Sequence, residues 1–313
     1  MGISISKYIT NWFYQKSNNK TTEISLRRDI LAVPWDYEYK LNNGLTLKGH
    51  SRSGERTCFF IPELSTYLDA GLQGTSPPHF ILLTHGHCDH SHALPMMNIN
   101  NNNSTILYVL NKTAKYTDDY ITSLHQLNKG GQYYGQSNLE TRPVEYNQQY
   151  PVTIKKRNYQ IETFKCYHSV PCVGYGITEI RQKLKEEYSE LTGKEIGKLR
   201  REGIEINCNK QYPLIAYIGD TTVKVLEDIN NKNVFNYPYI IIESTFILPD
   251  QIDLAIKNKH THWQQLIPYV VNHPEITFIL IHFSPRYRDQ EIIDFFENEK
   301  KKLNICNIKA WIN

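Results

Sequence analysis

An apolar segment at residues 79–83, HFILL, runs directly into the polar stretch THGHCDH at residues 84–90. The apolar segment has the length and composition of a buried strand, so the polar stretch is expected at a strand end. It carries three imidazoles and a carboxylate, the side chains that bind zinc through nitrogen and oxygen. Alternate residues of an extended chain point the same way, so His85 and His87 are expected to share one ion. The following turn would bring Asp89 and His90 to a second ion, which makes this stretch half of a two-metal hydrolase centre.

The composition is that of a globular protein with a modest charge. The chain has 313 residues with 40% hydrophobic content, enough for one large domain or two modest ones with a real core. A net charge of +3 is too small to establish a nucleic-acid partner and would not repel one. The six cysteines include no CxxC pair, which favours a reducing compartment: the cytoplasm, with the nucleus as the alternative. No stretch is as long as a membrane span, and the N-terminus lacks the apolar core that is typical of a signal peptide. No stable membrane association is therefore expected.

The sequence divides into an N-terminal extension at residues 1–28 and one domain at residues 29–313. Residues 98–103 are rich in asparagine, which predicts a solvated loop. Strands and helices alternate after that loop, and this order is typical of sheets covered by helices. Strands are expected at residues 57–61, 65–69, 105–110, 160–166, 214–219, 239–243 and 277–282, and a helix at residues 111–127.

Residues 178–206 break this alternation and predict a protruding arm. Apolar residues recur there at helical spacing, at Ile180, Leu184, Tyr188 and Leu191. Gly193 is expected to end that helix, and a second short helix holds Ile196 and Leu199. The lysines and arginines of the segment are nearly balanced by glutamates. The predicted arm is therefore a solvated helical hairpin.

Three later apolar strands each end in a residue that could bind a metal. These residues are His168, Asp220 and His282. Taken singly, His168 could be a hydrogen-bonded histidine at a strand end, and Asp220 could cap a helix beginning at Thr221. Together they complete a two-metal ligand set. In that set His85, His87 and His168 hold one zinc, Asp89, His90 and His282 hold the other, and Asp220 bridges the two.

The order of these motifs, HxHxDH, HSV, GDT and HFSPRY, resembles that of the metallo-β-lactamase superfamily and specifically of the tRNase Z family, endonucleases that trim tRNA 3′ trailers. Glu243, in ESTF, stands where the family has the glutamate of its HEAT motif. His260, in KHTH, stands where the family has a histidine loop usually written HST. The resemblance covers about residues 45–287 and is closest to the short, plant-like form. The PxKxRN motif of many bacterial members is not visible.

The resemblance implies a fold and an activity. The fold would be α/β, an αββα sandwich of two packed mixed β-sheets flanked by helices, and residues 29–313 would form the hydrolase domain. The enzyme would be a zinc-dependent endoribonuclease that cuts pre-tRNA after the discriminator base by metal-hydroxide attack, leaving a tRNA 3′-OH and a trailer 5′-phosphate. It would bind two Zn²⁺ per subunit, with Mn²⁺ as the alternative, and form a homodimer. The family's tRNA-gripping arm would correspond to residues 178–206.

The resemblance also assigns roles to individual residues. Asp89 would contact a metal and accept the proton of the attacking water. His260 would donate a proton to the leaving ribose 3′ oxygen, with Glu243 orienting it and supporting its charged form. Arg286, with Ser284 nearby, is a candidate phosphate contact, since a guanidinium can bind two phosphate oxygens. A surface ion pair is the other interpretation of Arg286.

Two other functions compete with the nuclease. One is a different hydrolase on the same scaffold, acting on a small phosphodiester or a thioester, because a fold does not fix a substrate. The other is an RNA-binding module without a working metal site. Glu243, His260 and the HFSPRY segment favour the nuclease over a thioesterase, which would not need them. All seven ligand positions are filled, which argues against the inactive module.

Overall fold

The described residues form two β-sheets of seven strands each. The computed structural model describes Trp35 and residues 37–97, 104–132 and 138–312. The predicted N-terminal extension at residues 1–28 and the asparagine-rich segment at residues 98–103 lie outside the described residues. Among the residues that are described, no helix has the length and apolar character needed to span a membrane.

The first sheet contains the first seven strands in chain order. Strands β1 to β7 are Glu38–Lys40, Thr46–Arg52, Arg56–Ile61, Thr66–Leu68, Phe80–Leu82, Thr105–Leu110 and Leu139–Val144. Neighbours from β1 to β4 pair antiparallel, and those from β4 to β7 pair parallel. Helix α1 (Cys88–Ser91) follows β5, a 3₁₀ turn spans Leu94–Met96, and α2 (Asn111–Lys129) connects β6 to β7.

The second sheet contains the other seven strands, also in sequential spatial order. Strands β8 to β14 are Gln149–Ile154, Arg157–Tyr167, Pro171–Leu184, Asn207–Tyr217, Tyr239–Glu243, Thr277–Ile281 and Ile308–Ala310. Helices α3 to α7 are Gly193–Arg201, Lys224–Glu227, Ile252–Asn258, Trp263–Asn272 and Asp289–Leu303. Single 3₁₀ segments span Glu186–Tyr188, Ile229–Asn236 and Pro249–Gln251.

Side-chain alternation along the strands divides the core into three layers. In β13, Ile279 and Ile281 pack between the two sheets, whereas Phe278 and Leu280 pack under α6 and α7. In β5, Leu82 packs between the sheets, and on the opposite face Ile81 packs in the layer that includes Ala114 and Ile121 of α2. Two sheets face to face with helices on both outer faces form the αββα sandwich, so the predicted fold class is confirmed.

Parallel pairing brings several strand ends to one edge of the molecule. Strands β9 and β11 both pair antiparallel with β10 and therefore run the same way, and β11, β12 and β13 are mutually parallel. Their carboxyl ends lie at one edge of the second sheet. Glu243 is the last residue of β12, and the turns that follow the other three strands carry His168, Asp220 and His282.

The arm differs from its predicted structure. Residues 178–184 belong to β10, which pairs with β11 as far as Leu184 opposite Asn207, so the helix predicted there is wrong. The segment forms a strand despite the helical spacing of its apolar residues, because β11 supplies hydrogen-bond partners for the backbone groups of β10. The second predicted helix is confirmed as α3. Gly193 begins that helix instead of ending the previous one, and Thr192 and Glu195 form its capping box.

Candidate metal centre

Each predicted metal ligand follows a strand of the sandwich. His85 and His87 lie in the extended turn after β5, and Asp89 and His90 lie in α1 directly behind it. The other three ligands come from the second sheet. They are His168 after β9, Asp220 after β11 and His282 after β13. The structure brings all seven side chains together where the two sheets meet.

One group of possible ligands contains His85, His87, His168 and Asp220. His87 Nδ1 lies 3.1 Å from His85 Nε2 and 3.2 Å from His168 Nε2. Asp220 Oδ2 lies 3.8 Å from His85 Nε2 and 3.9 Å from His168 Nε2. Ligand atoms with bonds of about 2.0–2.1 Å to a tetrahedral divalent metal ion lie about 3.3 Å apart, so this group has roughly the dimensions of such a site.

A second group contains Asp89, His90 and His282. His90 Nε2 lies 3.3 Å from His282 Nε2, and His282 Nε2 lies 3.3 Å from Asp89 Oδ2. Asp220 contacts this group as well, with Oδ2 3.3 Å from His282 Nε2 and Oδ1 3.4 Å from His90 Nε2. The second group therefore shares Asp220 with the first.

Asp220 has the surroundings of a bridging ligand. The residue is buried, and its Oδ1 has no hydrogen-bond partner among the described residues. Burial acts to raise its pKa, but the imidazoles of His282 and His90 hold the pKa well below the usual range of a carboxyl. Helix α4 begins only at Lys224, so the alternative role of Asp220 as a helix cap is wrong. A buried, ionised carboxylate whose Oδ1 takes part in no hydrogen bond among the described residues fits a site for a divalent cation.

Most ligand imidazoles are fixed by a hydrogen bond on the nitrogen that faces away from the centre. The Nδ1 atom of His90 donates to Asp69 Oδ2 at 2.6 Å, and that of His168 donates to the Lys259 carbonyl at 2.9 Å. Nδ1 of His85 lies 3.0 Å from Thr84 Oγ1, and Nδ1 of His282 lies 3.0 Å from Thr245 Oγ1. In each case Nε2 faces inward, where a neutral imidazole offers the lone pair that metal binding requires. These nitrogen and oxygen donors therefore fit a pair of divalent metal ions.

The charge states of the imidazoles bear on how a metal would enter. Burial lowers the pKa of His85, His87 and His168, which keeps them in the neutral form that binds metals. His90 differs. Burial opposes its charge, yet the carboxylates of Asp220 and Asp69 raise its pKa well above the ordinary value. Metal binding at His90 would therefore release a proton.

Sequence reasoning missed Asp69, a buried carboxylate behind the centre. Besides His90, it accepts hydrogen bonds from the Thr84 amide at 2.7 Å and the Tyr217 hydroxyl at 2.5 Å. The signal was present, because Asp69 directly follows the apolar strand β4 as Asp220 follows β11. Asp69, Lys259 and His282 all have positive φ, at 60°, 56° and 62°. Each of these strained residues fixes or supplies a ligand imidazole.

Glu243 and His260 form a buried ion pair beside the metal-ligand groups. His260 Nδ1 donates to Glu243 Oε1 at 2.8 Å, and the His260 ring lies 4.9 Å from that of His168. Burial acts to lower the pKa of His260, but Glu243 raises it to about 9. Glu243 also accepts bonds from the amides of Thr221 and Thr261, at 2.7 Å and 3.1 Å. The loop after α5 thus folds back over the site and presents a charged imidazole there.

The remaining residues that the sequence singled out have different surroundings. Asp89 Oδ2 accepts a hydrogen bond from the Gly54 amide at 2.9 Å; burial raises its pKa, but contact with His282 and nearby imidazoles lowers the pKa overall. Ser284 is buried and its hydroxyl accepts from the Arg286 amide at 3.4 Å, while Arg286 is exposed. His262 points away from the site. It caps α6 by accepting from the Gln264 amide and donates to the Leu248 carbonyl.

Comparison with known proteins gives sequence relatives and a shared fold. No family model matches the chain. The chain is 31% identical over 252 residues to tRNase Z TRZ2, chloroplastic, of Arabidopsis thaliana, covering 79% of this chain and 69% of that protein. It is 27% identical over 273 residues to tRNase Z TRZ1 of the same species, covering 80% and 89%. The metallo-β-lactamase fold protein YhfI from Bacillus subtilis superposes with a TM-score of 0.51 at 14% identity, covering 84% of this chain and 93% of that one.

Proposed function

The chain belongs to the tRNase Z family, and from that premise we propose that it is an endoribonuclease that removes 3′ trailers from pre-tRNA. The cut would follow the discriminator base and leave a 3′-OH on the tRNA and a 5′-phosphate on the trailer. The observation that carries the proposal is the ion pair of His260 and Glu243 beside two groups of metal ligands. A charged imidazole at that position supplies a proton to a leaving alkoxide, which phosphodiester cleavage requires.

We propose two zinc ions per subunit, with manganese as the alternative. His85, His87 and His168 would hold one ion, Asp89, His90 and His282 the other, with Asp220 shared. When bound, the ions would stabilise charge on the phosphate and lower the pKa of water. Two observations support this assignment: Asp220 Oδ1 has no hydrogen-bond partner among the described residues, and the imidazole nitrogens face inward.

Asp89 is proposed as the general base. Its carboxylate is partly exposed and oriented by the Gly54 amide, so one oxygen can accept the proton of an attacking water. Burial raises its pKa, but contact with the His282 imidazole helps to hold the pKa below the ordinary value. A weak base of this kind suffices only for a water that is already acidified.

His260 is proposed as the general acid. Its Nδ1 proton is committed to Glu243, so Nε2 would carry the proton given to the ribose 3′ oxygen. A pKa of about 9, raised by Glu243 against the effect of burial, keeps this imidazole charged at neutral pH. Arg286 is exposed and is proposed to contact a phosphate, with Ser284 supporting the loop that carries it.

Two substrates separate this function from its alternatives. Zinc-loaded protein is incubated with a 3′-extended pre-tRNA and with bis(p-nitrophenyl) phosphate, and the ends of the RNA products are mapped. We expect a single cut after the discriminator base. Cleavage of the small ester alone would favour another hydrolase of this fold. Cleavage of neither substrate, with two zinc ions bound, would favour an inactive RNA-binding module.

A histidine substitution tests the assigned acid. His260→Ala should lose turnover of pre-tRNA and keep its zinc, because His260 is assigned no metal bond. The matched control is His92→Ala, which removes an exposed imidazole whose Nδ1 contacts only the Cys88 carbonyl. Loss of zinc from His260→Ala would make that residue a ligand and overturn its role as proton donor.

We further propose that the protein acts on pre-tRNA as a homodimer and that it is located in the cytoplasm or the nucleus. The arm at residues 178–206 is proposed to contact the RNA. Lys198, Arg200 and Arg201 of α3 are exposed cations on this arm. Replacing all three with Ala should reduce the salt slope of pre-tRNA binding by about 1 for each phosphate that these cations neutralise. A triple Ala variant of Lys112, Lys232 and Lys301 removes equal charge elsewhere and should leave the slope unchanged.

Light scattering tests the proposed homodimer by measuring the oligomeric state of the protein in solution.

A further inference from the structure

Asp69 serves two ligand imidazoles, one directly and one through a hydroxyl. It accepts from His90 Nδ1 at 2.6 Å. Thr84 Oγ1 lies 2.9 Å from each oxygen of the same carboxylate and 3.0 Å from His85 Nδ1. Thr84, Asp69 and His85 are all buried. One carboxylate behind the first sheet's loops therefore reaches an imidazole of each proposed metal site.

Glu243 repeats this arrangement in the second sheet. It accepts directly from His260 Nδ1 at 2.8 Å. Thr245 Oγ1 donates to Glu243 Oε2 and lies 3.0 Å from His282 Nδ1. Thr245 and Glu243 are buried, and the Thr245 carbonyl accepts from the Ser284 amide. The hydroxyl of Thr245 thus stands between the carboxylate that holds His260 and a proposed metal ligand.

The chemistry of a hydroxyl fixes the direction of these bonds. A threonine hydroxyl has one proton, and an ionised carboxylate can only accept. The proton of Thr84 is therefore directed to Asp69, and that of Thr245 to Glu243. Each oxygen is left to accept from the neighbouring imidazole, which must carry its proton on Nδ1. The inward Nε2 of His85 and His282 is then a lone pair ready for a metal.

We propose that Thr84 and Thr245 are positioning residues that set the tautomer and the orientation of His85 and His282 through their hydroxyl groups. The inference deepens the proposed function and rests on its metal-ligand set. It assigns to each sheet a hydrogen-bonded chain of carboxylate, threonine and histidine, here called a relay. The first consists of Asp69, Thr84 and His85, and the second of Glu243, Thr245 and His282. The relay in the second sheet joins a metal ligand to the carboxylate that orients His260.

Paired substitutions separate the hydroxyl from the methyl group of each threonine. Thr245→Val keeps the shape and removes the hydroxyl, whereas Thr245→Ser keeps the hydroxyl and removes the methyl. Zinc affinity is measured on the full chain by competition with a chromophoric chelator. We expect Thr245→Val and Thr84→Val each to lower the affinity for one of the two zinc ions by about 10–100-fold. This is the range found when a hydrogen-bond partner of a metal ligand is removed. The Ser variants should bind both ions within a few-fold of wild type.

The outcomes are distinct from those of the functional assay. If the threonines act by packing, the Ser variants would bind zinc more weakly than the Val variants, the reverse of the expected order. Unchanged zinc binding in both Val variants would overturn the proposed role of the hydroxyl groups even if pre-tRNA is cleaved. Failure to cleave pre-tRNA with both relays intact would overturn only the proposed function. A wild-type chain that takes up no zinc would overturn both.

A second measurement needs no Val variant to fold. In zinc-loaded wild type, ¹⁵N NMR of the imidazoles should report His85 and His282 protonated at Nδ1 and bound through Nε2. His87, whose Nδ1 faces inward, should show the reverse pattern and serves as the internal comparison. Protonation of His282 at Nε2 would overturn the proposal.

Discussion

The pKa of His260 is raised because buried carboxylates, chiefly that of Glu243, outweigh its desolvation. Glu243 raises its pKa to about 9 although burial acts to lower it. The charged form therefore exists below about pH 9 and is lost above it. The stability that the pair of His260 and Glu243 adds to the metal-free protein depends on pH in the same direction as the charge of His260. It is complete below the unfolded pKa of about 6.5 and is lost as the pH rises through the folded value.

Glu243→Gln should move the alkaline limit of activity to lower pH. We expect kcat/KM of the wild type to fall at alkaline pH as His260 loses its proton. In the variant, burial acts without the opposing carboxylate, so His260 would lose its proton below its ordinary pKa. Rate profiles at saturating zinc measure the shift. Glu275→Gln is the control, because it changes an exposed pair in which His273 Nδ1 lies 3.2 Å from Glu275. Identical profiles for wild type and Glu243→Gln would remove His260 as the acid.

Asp69→Asn should destabilise the metal-free protein by about 3 kcal/mol, the effect of breaking a buried charged network. The amide nitrogen of asparagine cannot accept the bonds that Thr84, His90 and Tyr217 now donate to the carboxylate. Urea unfolding with chelator present measures the loss. Asp250→Asn, at an exposed position, should change stability by less than about 0.5 kcal/mol. Equal stability of both variants would show that Asp69 is not needed to hold the apo site.

The grouping of the seven proposed ligand residues could be predicted from sequence, whereas the residues that support them could not. Histidine and aspartate after apolar strands are a strong local signal, and parallel strands carry such residues to one edge. Asp69 and Thr84 lie 15 residues apart and meet because β4 and β5 pair. Thr245 and His282 are 37 residues apart and meet because β12 and β13 pair. Spacing within one segment contains no information about such neighbours.

At the scale of elements, the turn between β8 and β9 shows a local conflict. Lys155 and Lys156 have φ of 48° and 66°, a conformation that favours glycine or asparagine. Lys155 donates through Nζ to the carbonyls of Pro62 and Glu63, at 3.2 Å and 3.0 Å, which ties the turn to the first sheet. Both lysines have a strained backbone, but these hydrogen bonds to the first sheet come from Lys155. The effects of the two residues on stability can therefore be compared.

Lys156→Gly should raise the free energy of unfolding by about 0.5–1 kcal/mol, because glycine adopts positive φ without a Cβ clash. Lys155→Gly relieves similar strain but removes both hydrogen bonds to the first sheet, so its stability should stay near or below that of wild type. Denaturant midpoints of the two variants provide the comparison. Equal gains in both would mean that the hydrogen bonds of Lys155 contribute nothing.

The arm shows where periodicity misleads at this scale. Apolar residues at helical spacing also fit a long strand when a neighbouring strand supplies the backbone partners. Residues 178–184 have such a partner in β11, which lies more than twenty residues further along the chain. By contrast, α2 and α3 were predictable because their signals are local: a long run with Gly130 in the left-handed conformation at its end, and a capping box at Thr192.

At the scale of the whole molecule, the proposed metal centre joins the two sheets. The first sheet's loops contribute His85, His87, Asp89 and His90, and the second sheet's loops contribute His168, Asp220 and His282. Each ion would take ligands from both sheets. Without metal, the same interface holds a cluster of buried imidazoles and carboxylates whose charges are only partly matched. Metal loading should therefore stabilise the packing of one sheet on the other.

Removal of metal should lower the melting temperature substantially. Zinc that binds only the folded chain at about 100 times its Kd adds about 2.7 kcal/mol for each site, so two sites add about 5 kcal/mol. At about 2 °C for each kcal/mol in a domain of this size, a chelator should lower Tm by about 10 °C. His168→Ala and His282→Ala should each lose roughly half of the zinc-dependent shift, because each removes a ligand from a different site, whereas His92→Ala should retain all of it. A melting temperature that is the same with zinc and with chelator would mean that the two sheets are held by their apolar core alone and that the seven side chains do not form a metal clamp.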